Sequence, residues 1–288
     1  MLRIALPNKG RMADETRELF ADAGLAVQAS SDRALTASLG GEFQALFVRS
    51  QDIAEFVADG AADAGVTGWD LVSESERALD TLLDLEYGKC RLVVAAHEDS
   101  DIKTLADIGR ATAGNPPRVA TVFPRLTKRY FEAAGFPVIV VPVSGAAEVA
   151  PHLGIADIVV DLTSTGSTLK VNGLREIATV LQSSARLVVA PGGAARPGAD
   201  ELVAALASVL RGRGKRYLMA NVPRDALDRL TTVLPGLNGP TVTDILNGGT
   251  MVAVHAVVSA DTIYRTIAAL KTLGAQGILV TRIERLMP

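Results

Sequence analysis

EVAPHLGIADIVVDLTSTGSTL, residues 148–169, joins a buried strand to a loop of hydroxyl side chains and to the start of a helix. The apolar run at residues 158–160 predicts the strand, and Asp161 stands at its end. The hydroxyl-rich loop at residues 163–168 follows, and we expect a helix from near Leu169. Backbone N–H groups, hydroxyls and the positive N-terminus of a helix all favour negative charge, so the segment predicts an anion site.

Carboxylates flank this hydroxyl loop. Asp161 lies just before it, where a carboxylate could accept hydrogen bonds from sugar hydroxyls while the loop binds a phosphate. Asp157 shares a strand face with Asp161, but both aspartates could instead cap a turn or a helix. Glu148 could likewise orient sugar hydroxyls or cap a helix, and the sequence does not choose between these roles. The segment as a whole predicts a site for a phosphorylated sugar.

Length, charge and composition exclude several classes of protein. The chain has 288 residues, a net charge of −3 and 48% hydrophobic residues, which is typical of a globular protein with two or three domains. The charge argues against a nucleic-acid partner. Because no secretion signal or membrane-length apolar run is evident, we expect a cytoplasmic location and no membrane partner. The single cysteine, Cys90, excludes an intrachain disulfide.

Short apolar strands alternate with helical patterns in the first part of the chain. Strands are predicted at residues 2–6, 45–48 and 62–66, with helices at 12–23 and 51–59 between them. This order predicts a mostly parallel sheet covered by helices.

A second α/β lobe is predicted to follow the first. The chain would pass between the lobes near residues 87–91 and return near 179–186. Two lobes with two crossings are the architecture of periplasmic binding proteins, whose ligands lie in a central cleft. We therefore expect a first lobe at residues 1–91 with 183–211 and a second lobe at 92–182.

A third domain is predicted at residues 212–288. Its strand and helix patterns follow a β-α-β-β-α-β order, which is typical of a ferredoxin-like module. The segments that carry this pattern are strands 217–220, 250–257 and 277–283 and helices 225–234 and 261–273.

Three loops at successive strand ends of the first lobe could converge on one cleft. They are residues 7–11, 48–52 and 65–70. Lys9 and Arg11 could neutralise phosphate charge there, but equally they could be solvated surface cations. Asp70, Arg49 and the glycines complete the set, and Asp70 could cap the following helix.

Together these segments resemble the long form of the ATP phosphoribosyltransferase family, the first enzymes of histidine biosynthesis. The most specific part runs from EVAP at residues 148–151 to DLTSTGSTL at 161–169. LPNKGR at 6–11, GVTGWD at 65–70 and YGKCRL at 87–92 are also similar. The third-domain signature is YLM at 217–219 with LPGL at 234–237 and PTV at 240–242.

The resemblance implies that adenine N1 of ATP attacks C1 of 5-phosphoribosyl diphosphate, inverts that carbon and releases pyrophosphate. Mg²⁺ would bridge diphosphate oxygens, and N1 needs no general base, so no residue is expected to act by direct acid–base catalysis. The residues implied for phosphoribosyl diphosphate are Glu148, Asp161, Thr163, Ser164, Thr165, Gly166, Ser167 and Thr168. Those implied for ATP or pyrophosphate are Lys9, Gly10, Arg11, Arg49, Asp70 and Lys89.

The resemblance also implies regulation by the third domain, which is ACT-like in this family and binds histidine as an inhibitor. The loop holding Asn238, Thr241 and Asp244 is our expected effector site, and a homo-oligomer, dimer or hexamer, is implied. The rival interpretation is a two-lobed intracellular protein that binds a small molecule without catalysis. Pyrophosphate release that requires both substrates and Mg²⁺ would distinguish the two.

Overall fold

A computed structural model describes residues 1–28, 34–108, 115–246 and 249–287. The chain divides into two compact units. The first comprises Met1–Ala21 and Leu25–Val203, and the second comprises Asp22–Gly24 and Ala204–Pro288. Among the described residues, no helix has the length and apolar character needed to cross a bilayer.

The first unit contains two sheets, which define lobe I and lobe II. The sheet of lobe I has seven strands in the order β2-β3-β4-β1-β5-β12-β6. Its strands are β1 Leu2–Pro7, β2 Val27–Gln28, β3 Thr36–Leu39, β4 Phe43–Val48, β5 Ala64–Gly68, β6 Asp80–Asp84 and β12 Ala185–Val189. β1 runs parallel to β4 and β5, so the ends of these three strands open at one edge.

The sheet of lobe II has five strands in the order β11-β7-β10-β8-β9. Its strands are β7 Cys90–His97, β8 Arg118–Thr121, β9 Ile139–Pro142, β10 Ile158–Thr163 and β11 Leu174–Ser183. The predicted apolar run of β10 is buried at the sheet centre, between β7 and β8. The large buried side chains Ile158 and Phe131 belong to its hydrophobic core.

Helices cover both sheets. Among the described residues, the helices of the first unit are α1 Arg11–Asp22, α2 Ile53–Ala58, α3 Trp69–Ser75, α4 Pro124–Ala134 and α5 Ser167–Val171, and α6 Ala199–Gly212 includes residues of both units. α4 shows how its sequence sets its bounds. Pro124 occupies the first turn, where its missing N–H costs nothing, and Gly135 ends the helix at φ 74°.

The second unit is the predicted ferredoxin-like module. Its sheet order is β14-β15-β13-β16, and all of its strand pairs are antiparallel. The elements are β13 Lys215–Pro223, α7 Leu227–Val233, β14 Thr241–Asp244, β15 Met251–Ser259, α8 Ile263–Thr272 and β16 Gln276–Arg282. The predicted β-α-β-β-α-β order is confirmed, as are two α/β lobes with a separate C-terminal sheet domain.

The structure adds strands that the sequence patterns did not reveal, namely β2, β3, β6, β11 and β14. β11 changes one prediction, because it continues to Ser183. Thr179 therefore lies inside lobe II, and the second crossing occupies only residues 183–185. Because β11 is half-buried along most of its length, it lacks the apolar run that marks a central strand. It also has two register shifts against β7.

Candidate active site

The hydroxyl loop at residues 163–168 is ordered by its own hydrogen bonds. The Gly166 backbone N–H donates to Thr163 Oγ1 at 2.8 Å, and the Thr165 and Ser167 hydroxyls are 2.8 Å apart. Gly166 has φ 79° and open space beside its Cα, a conformation that costs glycine little and other residues more. α5 begins at Ser167, two residues before the predicted start. Thr163 is buried, whereas Ser164, Thr165, Ser167 and Thr168 are exposed.

Two carboxyl groups meet directly before this loop. Asp161 lies in β10, and Glu148 comes from the short 3-10 helix Ala147–Val149. Burial raises the pKa of Asp161 to about 6, and the charge of Glu148 and its hydrogen bond to Asp161 act in the same direction. The Leu162 N–H donates to Asp161 Oδ1 at 2.8 Å and partly opposes this increase. The pair thus supplies hydrogen-bond acceptors beside a loop of donors.

Asp157 has a different role from Asp161. At the start of β10 its Oδ2 accepts the Arg118 backbone N–H at 2.7 Å, and its Oδ1 lies 3.5 Å from the Arg118 guanidinium. It therefore ties the starts of two neighbouring strands together. The alternative of a capping role for Asp161 finds no support, since its bond to the Leu162 N–H lies within a strand.

The three strand-end loops of lobe I are adjacent. The Asn8 N–H donates to Val48 O at 2.9 Å, and Thr67 Oγ1 donates to Ser50 O at 2.8 Å. These bonds join the ends of β1, β4 and β5, which are neighbours in the sheet. The cations predicted for the site lie on the exposed side of these loops: Lys9, Arg11 and Arg49. Gly10 has φ 84°, which turns the chain from β1 into α1.

Asp70 does not cap its helix. It lies in the first turn of α3, where Gly68 is the N-cap. Its carboxylate accepts a hydrogen bond from Ser183 Oγ, and that oxygen in turn accepts the Asp70 backbone N–H at 2.9 Å. A Cβ at Gly68 would collide with the Asp70 carboxylate. Asp70 is buried, and it joins lobe I to the second crossing.

Cys90 lies at the same junction. Burial raises the pKa of its thiol, and the Asp70 carboxylate acts in the same direction, with Ser183 and Arg11 opposing. The thiol is therefore kept protonated, which agrees with a packing role. The Tyr87 hydroxyl lies 2.7 Å from Thr16 Oγ1 of α1, so the first crossing is also bonded to the helix that begins at Arg11.

A cavity of about 500 Å³ lies at the two crossings and reaches the hydroxyl loop. Ser164 lines it from lobe II, and the predicted cation Lys89 lines it from the first crossing. The other lining residues had no predicted role in binding: Asp84, Cys90, Arg91, Gln182, Ser183, Ser184 and Arg186. Both lobes and both crossings therefore contribute to the lining of one cavity. Glu148 and Asp161 lie outside the lining, two or more residues before the loop.

Two arginines of this lining were missed because neither lies in a loop. Arg91 is in β7 and forms an ion pair with Glu176, and Arg186 is in β12 with its guanidinium 4.1 Å from the centre of the Trp69 ring. Ser184 Oγ donates to Asp84 Oδ2 at 2.8 Å beside it. The Ser183-Ser184 pair next to an apolar strand is the one sequence signal that could have pointed here.

The residues expected to bind an effector lie in the second unit. Asn238, Thr241 and Asp244 are all exposed, the last two on the edge strand β14. Asp244 forms an ion pair with Arg224. Arg224 also lines a cavity of about 680 Å³ with Pro223, Asp225, Gly249 and Thr250.

Comparison with known proteins identifies the family. The model described as ATP phosphoribosyltransferase matches residues 49–212, and the model described as HisG, C-terminal domain, matches residues 212–285. The chain belongs to the ATP phosphoribosyltransferase family. The resemblance inferred from the sequence is thereby confirmed, including its long form and the activity of an ATP-dependent phosphoribosyl transferase.

Relatives in this family match over their whole length. An ATP phosphoribosyltransferase of Gemmatimonas aurantiaca is 68% identical over 294 residues, covering 100% of both chains. One from Natronomonas pharaonis is 49% identical over 288 residues, again covering 100% of both. Among solved structures, the ATP phosphoribosyl transferase (HisG:HisZ) complex from Thermotoga maritima aligns with a TM-score of 0.60 and 28% identity, over 72% of this chain and 94% of that one.

Proposed function

We propose that the cleft joins adenine N1 of ATP to C1 of 5-phosphoribosyl diphosphate and releases pyrophosphate, the first step of histidine biosynthesis. The observation that carries this assignment is the shared cavity, in which Ser164 of the hydroxyl loop and Lys89 of the first crossing line the same space. A substrate with a phosphate at one end and a diphosphate at the other needs donors in one lobe and cations near the other.

The hydroxyl loop is our site for the 5′-phosphate. The hydroxyls of Thr165, Ser167 and Thr168 are exposed at the start of α5, and those of Thr165 and Ser167 would exchange their mutual hydrogen bond for bonds to phosphate oxygens. Asp161 and Glu148 accept the ribose hydroxyls.

The cations of lobe I and the first crossing are our site for the diphosphate and for the phosphates of ATP. Lys9, Arg11, Arg49 and Lys89 can stabilise the negative charge that grows on the leaving group. Gly10 allows the backbone to approach the ligand closely, and Asp70 positions the α3 side of the cleft. Since N1 has a lone pair at neutral pH, the protein contributes position and charge and no general base.

Mg²⁺ fits the donor set of this cleft. Within the described ranges, no group of three His, Cys, Asp or Glu side chains could hold a metal ion by itself. Mg²⁺ is usually bound by one or two carboxylates, substrate phosphates and water. The Glu148–Asp161 pair supplies such carboxylates, and the ion would neutralise diphosphate charge.

Residues 212–288 form a regulatory domain in this proposal, with residues 1–91 and 183–211 as one catalytic lobe and 92–182 as the other. Free histidine, an amino acid with one ammonium and one carboxylate, suits the charged group of Arg224, Asp225 and Asp244. Asn238 and Thr241 lie on the adjoining loop and edge strand. We propose a homo-oligomer, dimer or hexamer, as the assembly.

One assay tests the function. Pyrophosphate release should require ATP, 5-phosphoribosyl diphosphate and Mg²⁺ together, and free histidine should lower its rate. The alternative, a two-lobed binding protein without catalysis, predicts substrate binding by calorimetry but no pyrophosphate. Well-folded protein that releases none in the complete mixture would reject the proposed reaction.

A further inference from the structure

Helix α3 contacts both lobes, although it belongs to neither of the two segments in which the chain passes between them. It follows β5 of lobe I, yet its residue Leu71 packs against the hydrophobic core of lobe II. The two lobes are thus joined by a packed contact as well as by the chain.

The C-terminal end of α3 caps a helix of the other lobe. The Glu74 carboxylate accepts the first free backbone N–H groups of α4, Arg125 N at Oε1 and Leu126 N at Oε2, each at 2.9 Å. The N-cap residue of α4 is Phe123, whose side chain cannot accept a hydrogen bond. The cap that α4 needs is therefore supplied by lobe I.

Arg125 of lobe II in turn binds the C-terminal end of α3. Its guanidinium donates to the carbonyl oxygens of Glu74 at 3.3 Å and Ser75 at 3.2 Å, at the end of α3 where carbonyls lack helical partners. Its Nε also lies 3.8 Å from Glu76 Oε2. Each helix thus satisfies the free backbone groups of the other. We name the contact of Glu74 with Arg125 and Leu126 the interlobe latch.

The N-terminal end of α3 is fixed to the second crossing. The Trp69 N–H donates to Ser184 O at 3.0 Å, and Asp70 is bonded to Ser183. A displacement of α3 at the latch would consequently be transmitted to Asp70 and to the cavity beside it.

We propose that Glu74 is a positioning residue, which holds the cations of lobe I and the hydroxyl loop of lobe II at the separation that the reaction needs. Two chain crossings alone permit rotation of the lobes about the line through them. The latch is a third contact, made at the end of α3 opposite to its bonds with the second crossing, and it restricts this rotation. The inference rests on the proposed two-substrate cleft, because reacting atoms held by different lobes lose rate steeply when misplaced by about 1 Å.

The test compares Glu74→Ala with a matched control, Glu55→Ala. Glu55 is also a half-exposed glutamate of lobe I, but its partner Arg77 belongs to the same lobe. Glu74→Ala should lower kcat at least about tenfold, by the same sensitivity to misplacement. The Kd of ribose 5-phosphate, which lacks the diphosphate and needs only lobe II, should change less than about twofold. Glu55→Ala should change neither, and Glu74→Gln, which retains one acceptor oxygen, should recover part of kcat.

Trp69 gives a readout that needs no activity. It is the single tryptophan of the chain and lies half-buried at the start of α3. Acrylamide should quench its fluorescence more strongly in Glu74→Ala than in the wild type or Glu55→Ala. Unchanged quenching and kcat would overturn the latch, as would a loss of ribose 5-phosphate binding in parallel with kcat, which would indicate damage to lobe II. A wild type without pyrophosphate release would reject the reaction and leave the Trp69 test of the latch intact.

Discussion

In the proposed two-substrate cleft, the two sides differ in the physical means by which they would bind their ligands. On the lobe II side, hydrogen bonds within the hydroxyl loop order it, and a separate hydrogen bond joins Glu148 to Asp161. On the other side, Lys9, Arg49 and Lys89 are exposed, and within the described part of the chain none of them forms an ion pair. One side is therefore ordered in advance, whereas the other must order long side chains when it binds, at a cost in conformational entropy.

The largest effect should come from the ordered side. Replacing both carboxyls, Glu148→Ala with Asp161→Ala, removes the acceptors for the ribose hydroxyls. Hydrogen bonds to charged groups contribute about 1.5–3 kcal/mol each, so two of them correspond to a loss of roughly a hundredfold or more in kcat/KM for 5-phosphoribosyl diphosphate. Steady-state kinetics with ATP saturating measures this.

Asp157→Ala is the matched control for that double variant. It removes a carboxylate from the opposite end of the same strand, where the partner is Arg118. Its kcat/KM should stay within about threefold of the wild type, as is usual for exposed ion pairs. A comparable loss in both variants would mean that the strand, and not the sugar contact, had been damaged.

The next effect separates the two sides by their response to salt. Thr165→Ala with Thr168→Ala removes neutral donors, and should raise KM for 5-phosphoribosyl diphosphate about ten- to a hundredfold and KM for ATP far less. Lys9→Ala with Lys89→Ala removes exposed charges, whose contribution is screened by ions. When the salt concentration is raised from about 0.05 M to about 0.5 M, the KM of the lysine variant should therefore approach that of the wild type. The KM of the threonine variant should keep its ratio to the wild-type value. Equal salt dependence of both variants would contradict the contrast between the two sides.

The smallest effect concerns the dependence of stability on the protonation of Asp161. Burial, then the neighbouring Glu148, raises the pKa of Asp161 from 3.8 to about 6. Since the folded-state pKa is the higher one, the stability that this group contributes is complete below about pH 3.8 and is lost as the pH rises through about 6. Asp161→Asn cannot ionise, so its free energy of unfolding should improve relative to the wild type between pH 4 and pH 7.5.

Urea unfolding of both proteins at the two pH values checks this. Because every other titrating group is shared, the difference between the two proteins reports Asp161 together with its interaction with Glu148. A difference that is the same at both pH values would mean that Asp161 keeps an ordinary pKa. An improved stability together with weaker substrate binding would show that the charged carboxylate is retained for function.

Much of the fold could be read from the sequence because its central elements have strong local patterns. β1 and β10 are short apolar runs that end in polar loops, and α4 carries Pro124 and Gly135 at its ends. β6, β11 and β14 lack such patterns, since they are exposed or half-buried. A strand of this kind is stabilised by its neighbours in the sheet, which are distant in sequence, so local periodicity does not reveal it.

The candidate site likewise contains some residues that local sequence patterns reveal and others that they do not. The hydroxyl loop, its two carboxyls and the lobe I cations could be predicted because they lie in contiguous motifs within or beside predicted strands. Arg186 had no predicted role because it lies within β12, and of the two roles predicted for Asp70, a helix cap or an ATP contact, the cap is wrong because its partner is Ser183. The residue-level assignments of the cleft stay predictions that the experiments above test.

By itself, the sequence determined the family, the α/β class and the chemistry available at each strand end, because motifs and apolar periodicity are local properties. Only the tertiary structure decided which of these ends meet. The cavity shared by Ser164 and Lys89, the raised pKa of Asp161 and the cap that Glu74 supplies to α4 all join residues from separate parts of the chain. Burial and charge at such meeting points depend on the folded geometry, which the order of residues does not display locally.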